Sequence, residues 1–381
     1  MMKKIALGDL CNPSIGHIKE LPDTVIDYID ISSVDNLSKT IIGYQTMRFS
    51  ESPSRARKAV KKGDILVSTV RPNLNAIAML EEDTPNKTVA STGFCILDCK
   101  EDTDSRFLFN YCKSKAFIDE MVSQTTGASY PAVTDKIVRS ALIPEYSYSE
   151  QRRISKTLDT VSSVIEKRRK ELCAFDELIK ARFVEMFGEP SLNTKGYPIK
   201  SLPEIAEYWN GLTYKPEDVA DEGTIVLRSS NIQNAQLDFE DTVRVTCSIG
   251  EKKYVQNNDI LMCSRNGSAR LVGKVALIKD IEEPMSFGAF MMIIRSQYYP
   301  YLMTYFQMPA FRAQITTGAT TTINQITGRM LDNVKLPVPE KTELSNYISF
   351  VEQVDKSKVA VQKSLDETQL LFDCLMQNSF G

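Results

Sequence analysis

The chain has 381 residues, enough for two or three domains with ample capacity to bury a core. Its 25% charged and 42% hydrophobic residues are ordinary for a globular protein, and a net charge of −3 argues against a generic polyanion binder while leaving local basic patches open. The sole histidine, His17, excludes two-histidine metal sites within one chain, and eight cysteines without repeated CxxC spacing exclude an obvious zinc or disulfide framework.

At the N-terminus, Lys3 and Lys4 precede an apolar run that ends at Gly8-Asp9, too short for a signal peptide. No transmembrane span is expected, and scattered unpaired thiols fit a reducing cytosol. Short β-type runs at 25–31, 65–70 and 88–97 alternate with turn signals, and apolar spacing predicts a helix over 107–122. Tyr44, Gln45 and Phe49 open a basic run of Arg48, Arg55, Arg57, Lys58, Lys61 and Lys62. Arg71, Asn73 and Asn75 follow the strand at 65–70.

A long helix is expected over 147–187. Ile154, Leu158, Val161, Ile165, Leu172, Phe175, Ile179 and Met186 make a stripe of four-and-three steps, interrupted by Arg168 and Arg182. Ser147 and Glu150 have capping-box spacing, and Gly188 followed by Pro190 supplies the stop. A helix of about 40 residues is roughly 60 Å long and requires a partner. Residues 190–197 form the boundary between halves. Beyond them, strands are expected at 224–227, 260–263, 272–278 and 290–294, then a helix over 300–315 that Pro309 kinks or splits. The partner helix lies over 341–381, where Tyr347, Val351, Val354, Val361, Leu365, Phe372 and Leu375 repeat the stripe, with polar breaks at Lys358 and Thr368.

The halves are copies of each other. Gly63-Asp64-Ile65-Leu66 corresponds to Asn258-Asp259-Ile260-Leu261, Gly93 to Gly288, Thr125-Thr126-Gly127-Ala128 to Thr316-Thr317-Gly318-Ala319, and Pro144-Glu145 to Pro339-Glu340. These landmarks keep their order while the sequence between them is almost unrelated, so one scaffold presents two different surfaces.

No GxxxxGK[ST] phosphate loop, GxGxxG fingerprint or [DN]PP[YF] methyltransferase tetrapeptide is present. Donor-rich loops remain. Arg265, Asn266, Ser268 and Arg270 follow the strand at 260–263 in the place that Arg71, Asn73 and Asn75 take in the first half. Arg, Asn and Gln make bidentate contacts to guanine and adenine, whereas Lys, Ser and Thr more often hold phosphates. The Thr-Thr-Gly-Ala loops suit phosphate contact or a plain turn. Three function classes stay open: a non-catalytic nucleic-acid-binding protein, a self-contained DNA-modifying enzyme, and a coiled-coil scaffold without a DNA role.

The two long helices, the strands opening Asp64-Ile65-Leu66 and Asp259-Ile260-Leu261, the paired Thr-Thr-Gly-Ala loops, and Leu142-Ile143-Pro144-Glu145 leading to Ser149-Glu150-Gln151 together carry a resemblance. The chain resembles, over essentially its whole length, the specificity subunit of Type I restriction–modification systems. That resemblance implies an α/β (α+β) fold: target recognition domains at 1–146 and 190–340, and long spacer helices at 147–189 and 341–381. The helices are expected antiparallel and pseudo-twofold related. It implies a non-catalytic, cytoplasmic subunit that binds double-stranded DNA at a bipartite target, with no cofactor or metal of its own. Two modification subunits using S-adenosylmethionine and restriction subunits using ATP are the implied partners. By the same resemblance, Tyr44, Gln45, Arg71, Asn73, Ser129 and Tyr130 lie on the DNA-reading side of the first domain. Arg228, Ser229, Asn231, Arg265, Asn266, Thr320 and Thr321 do so in the second. One departure, Glu343-Leu344 where the first copy has Glu150-Gln151, implies that docking of a modification subunit on the second copy need not repeat the first contact by contact.

Overall fold

A computed structural model describes residues 3–13, 17–18, 24–127, 130–316 and 324–381. The chain divides into two compact units, Met1–Arg169 with Gln362–Gly381, and Lys170–Val361.

In the first unit a four-stranded sheet runs in the order Gln45–Arg48, Val25–Ile29, Lys87–Ser91, Ala56–Ala59, its two central strands parallel. A three-stranded antiparallel sheet has Ile65–Ser68 between Phe94–Leu97 and Ile77–Met79. The second unit repeats this plan. Thr224–Leu227 runs parallel to Met285–Phe287, and Ile260–Cys263 lies between Met291–Arg295 and Val275–Leu277. Each unit also closes with an antiparallel pair, Lys4–Ala6 with Leu142–Pro144 and Ile199–Ser201 with Lys335–Pro337. Ile65–Ser68 and Ile260–Cys263 are buried along their whole length, which is why both are continuous apolar runs rather than alternating ones.

The shared Gly/Asn-Asp landmark has a backbone cause. Gly63 (φ +90°) and Asn258 (φ +71°) are left-handed, a conformation that glycine and asparagine tolerate best. The aspartate that follows closes the turn: Asp64 accepts the Lys61 backbone N–H at 2.9 Å, and Asp259 accepts that of Gln256 at 2.8 Å.

Three expected elements are divided. The strand at 88–97 becomes Lys87–Ser91 and Phe94–Leu97, because the chain turns at Gly93 from one sheet into the other. A Cβ on Gly93 would fall 2.7 Å from Ile31 Cδ1. The helix at 107–122 is two, Ser105–Lys113 and Lys115–Ser123, since the Ser114 hydroxyl accepts the Phe117 N–H at 3.2 Å and starts a new helix. Pro309, with no N–H to donate, begins the second of the pair Tyr299–Phe306 and Pro309–Thr316.

The long helices are Tyr148–Phe187 and Lys341–Phe380, 40 residues each. The Ser147 N–H donates to Glu150 at 2.9 Å, and Ser147 Oγ accepts the Glu150 N–H at 3.4 Å, forming the capping box. Gly188 (φ +73°) ends the first helix.

Within the first unit, the Tyr146 hydroxyl donates to Ser379 O at 3.4 Å, and the Arg168 guanidinium donates to Ser364 O and to the Thr368 hydroxyl, the latter at 2.7 Å. Within the second, Lys358 pairs with Asp176 at 2.6 Å, and the Phe183 and Tyr347 rings lie 5.7 Å apart. In both units residue numbers rise on one helix as they fall on the other, so the packed segments run antiparallel. The seam breaks Arg168, Thr368 and Lys358 therefore have hydrogen-bond partners inside the helix pair.

Each core is closed by the end of a helix from the other copy. Phe380 lies 5.3 Å from Phe107 and 5.7 Å from Tyr111 in the first unit, and Phe187 lies 5.2 Å from both Tyr301 and Tyr347 in the second. Gln151 is buried, accepting the Asp104 N–H and donating to Tyr146 O, and Leu344 is buried in an apolar core. The Glu-Gln versus Glu-Leu departure is thus a difference of internal packing, not of surface. Among the described residues no helix is long and apolar enough to cross a membrane.

Candidate nucleic-acid interface

In the second unit the buried strand Ile260–Cys263 leads, through buried Ser264, to Arg265 and Asn266 at the rim of a cleft of about 1120 Å³. Arg228, Ser229, Arg265 and Asn266, singled out from sequence, all line it, together with Tyr214, Asp241, Phe290 and Asn324. The rim is held by backbone bonds: Ser264 and Arg265 N–H both donate to Phe290 O (2.9 and 3.1 Å), and Ile326 N–H donates to Ser264 O at 2.7 Å. Arg265 is exposed, its guanidinium 5.2 Å from the centre of the Phe290 ring.

Three other polar residues singled out here from sequence are committed. Arg228 pairs with Asp241 at 2.7 Å. Asn266 donates to the Ser229 hydroxyl at 3.0 Å and accepts the Ser268 N–H at 3.0 Å, so its amide shapes the loop. Asn231 is buried; it accepts the Arg228 N–H and donates to the Asp238 and Asp241 carbonyls. It holds the loop and has no amide edge left over for a base.

In the first unit the corresponding strand leads to Thr69, whose N–H donates to Gly93 O at 2.8 Å and whose carbonyl accepts from Val133. The latter bond repeats Ile326 to Ser264. Arg71 follows in a left-handed conformation (φ +48°), its N–H bonded to Pro131 O at 2.8 Å. Its guanidinium lies 5.5 Å from the centre of the exposed Tyr130 ring. Asn73 is exposed in the adjoining turn Pro72–Leu74, while Asn75 is buried. Tyr44 and Gln45 are exposed at the edge of the four-stranded sheet. Arg55 joins this neighbourhood: its pKa is raised mainly by the hydrogen bond with Tyr28, then by Asp30, with Tyr130 adding least.

Three of the six cations of the basic run are already paired with carboxylates. Lys58 is buried and bonded to Phe94 O and Asp135 (both 2.6 Å), Lys61 pairs with Asp98 at 3.0 Å, and Arg55 with Asp30 at 2.6 Å. Ser129, Thr320 and Thr321 lie outside the described residues, as does most of the second Thr-Thr-Gly-Ala loop. Phe290 was not among the residues singled out from sequence, where it reads as the first apolar position of a strand; neither its exposure nor the arginine over it has a signature in the sequence. Among the described residues no group of three or more His, Cys, Asp or Glu is placed to hold a metal ion. What the two sites offer chemically is planar guanidinium donors beside aromatic faces, suited to stacking and directional hydrogen bonding.

Residues 2–172 match the sequence profile of the Type I restriction modification DNA specificity domain. Over 182 residues the chain is 25% identical to the Type I restriction enzyme EcoKI specificity subunit of Escherichia coli (strain K12), covering 44% of this chain and 39% of that protein. It is 26% identical over 182 residues to the StySPI specificity subunit of Salmonella potsdam, with the same coverage of 44% and 39%. These matches span about two fifths of each relative's length (39%). Two solved structures share the fold. One, from work on complex assembly and conformational transition of the type I R-M system, superposes with a TM-score of 0.61 at 24% identity over 99% of this chain and 97% of that one. The other, the S subunit of the Type-I restriction-modification system of M. genitalium, gives 0.56 at 13% identity over 100% and 96%.

Proposed function

We propose that this chain, which belongs to the Type I restriction–modification DNA specificity family, reads a two-part DNA sequence and directs adenine methylation and restriction by partner subunits. The observation that carries the reading is the matched pair of sites. After equivalent buried strands, each unit sets an exposed arginine beside an exposed ring, on loops whose sequences differ between the halves. One scaffold with two unlike reading surfaces is what a split recognition sequence requires. Phosphate contacts fix register, and base-edge contacts specify sequence. The chain itself is non-catalytic in this reading. Two modification subunits supply methyl transfer from S-adenosylmethionine, restriction subunits supply ATP-dependent cleavage, and the assembly works in the cytoplasm. A self-contained modifying enzyme or a scaffold without a DNA role accounts for neither the family match nor the paired sites.

The test is methylome sequencing of cells that express the chain with its modification subunits. A single bipartite adenine-methylated motif, absent when the chain is omitted, is the expected result. Methylation independent of the chain, or methyl transfer by the purified chain alone, overturns the reading.

A further inference from the structure

We infer that Arg71 and Arg265 are the guanine-reading residues of the two half-sites, each aimed by the ring beside it, Tyr130 and Phe290. The inference rests on the DNA-reading function proposed above and adds both the base class and the positioning residues.

In the second cleft Arg228 is paired with Asp241, Asn266 is used by Ser229 and Ser268, and Asn231 is used by three backbone groups. Among the described residues, the Arg265 guanidinium pairs with no carboxylate and contacts the Phe290 ring face. A guanidinium lying along a ring loses freedom out of its plane and keeps its N–H edge directed outward. That edge matches one base best: guanine presents O6 and N7 as two adjacent acceptors in the major groove. An anion such as phosphate would accept the same edge, so the experiment must separate the two.

The Phe290 ring is 58% exposed and outside the apolar cores, and the two N–H groups bonded to its carbonyl hold its backbone beside Arg265. In the first unit Tyr130 is 60% exposed, and Arg71 holds a left-handed backbone that an arginine rarely adopts. The two pairs are also built differently. Arg71 meets a ring from the loop after the helices, whereas Arg265 meets a ring from the turn before the strand Met291–Arg295. Phe290 and Tyr130 are not counterparts in the internal repeat, so common descent of the halves does not explain the shared geometry. A shared task does.

The experiment uses the full chain bound to its modification subunits, on duplexes carrying its recognition sequence, with each guanine replaced in turn by 7-deazaguanine. For the parent protein, one replacement in each half-site should weaken binding. Arg265→Ala should lose discrimination at one guanine of one half-site by roughly 10- to 100-fold, leaving the other half-site intact as an internal control for folding. Arg71→Ala should do the converse. Arg265→Lys should fail to restore discrimination. Phe290→Leu should lower the discrimination ratio, and Phe290→Tyr should restore it. Uniform weakening on all sequences with a shallower salt dependence in Arg265→Ala would identify a phosphate contact and overturn the inference, as would guanine discrimination unchanged in both alanine variants. Binding by the parent complex without any sequence preference would instead remove the DNA-reading function, and the inference with it.

Discussion

Arg295 donates two parallel hydrogen bonds to Asp259, Nε to Oδ1 and Nη2 to Oδ2, both at 2.7 Å. The same guanidinium lies 5.0 Å from the centre of the Trp209 ring, so one cation ties a strand-opening turn to the only tryptophan. Asp259 is buried and Arg295 is about one-third exposed (34%), so the pair is screened on one side only. Asp259→Ala should destabilise the second unit by about 1–3 kcal/mol, the range for losing hydrogen bonds to a charged group. Trp209 fluorescence in a denaturant titration reports it directly. A midpoint unchanged from the parent would show that the turn, not the pair, holds this strand.

Asp64, the counterpart of Asp259, is 1% exposed and is bonded to the Lys61 N–H. Burial pushes its carboxyl up to about 6, nearby Asp98 adds to the rise, and the Lys61 N–H and charge oppose it. A folded-state pKa above the ordinary 3.8 means that the folded protein holds this proton more tightly than the unfolded chain. The associated stability is complete below pH 3.8 and lost as pH rises through 6; it amounts to about 2–3 kcal/mol at most. Asp64→Asn removes the titration and retains an acceptor for Lys61. Relative to the parent, its stability should climb between about pH 4 and 6 and then level off. A flat difference across that window in urea titrations would contradict the assignment.

Some of this was legible in the sequence because backbone geometry demanded particular residues. The left-handed position at 63 and 258 accepts Gly or Asn, and the next residue must cap the turn, so both copies retain it through otherwise unrelated sequence. The seam of the long helices was legible from its period. Side-chain commitments were not. Lys58 and Asn231 have the chemistry of nucleic-acid contacts, yet one is spent on Asp135 and Phe94 and the other on its own loop. A residue type states which bonds a side chain can make; only packing states which it has already made.

Arg168 and Thr368 interrupt the apolar stripes, and the structure pairs them at 2.7 Å. Thr368 also donates to Ser364 O at 2.7 Å, so it stays satisfied if the arginine is removed. Arg168→Leu should therefore leave thermal stability equal or slightly raised, since an apolar residue suits the seam, while pairing specificity is relaxed. Arg168→Ala, which removes the side chain without filling its place, should cost about 1–2 kcal/mol. Thermal unfolding of both variants decides the matter; a leucine variant as unstable as the alanine variant would count against it.

Gly211 is required by space rather than by φ. A Cβ there would fall 2.1 Å from Phe287 O and 2.3 Å from Gly288 O, both backbone atoms. The Leu212 N–H donates to the same Phe287 O, and Leu212, Gly288 and Phe290 line the cleft. Gly211→Ala should thus separate these segments, at a cost of about 1–3 kcal/mol from overpacking. Recognition of one half-site should be lost and the other retained. Methylation sequencing checks this, and equal losses at both half-sites would defeat it.

The final rings of the two long helices give the sharpest test of how the copies are assembled. Phe380 ends the second sequence copy, yet it is 1% exposed in the first unit, against Phe107 and Tyr111. Phe187 ends the first copy and is 1% exposed in the second unit, against Phe183, Tyr301 and Tyr347. Internal repetition reveals that the two phenylalanines are equivalent but not which core each one fills. Truncating a buried phenylalanine to alanine costs about 3–5 kcal/mol, a transfer term plus the cavity left behind. Phe380→Ala should therefore expose the helix Ser105–Lys113 and the strand Phe94–Leu97 to hydrogen exchange, although both lie more than 250 residues earlier in the chain. The helix Tyr299–Phe306, nearer in sequence, should keep its protection in that variant and lose it in Phe187→Ala. Loss of protection in Tyr299–Phe306 ahead of Ser105–Lys113 on truncating Phe380 would mean that each copy closes its own core.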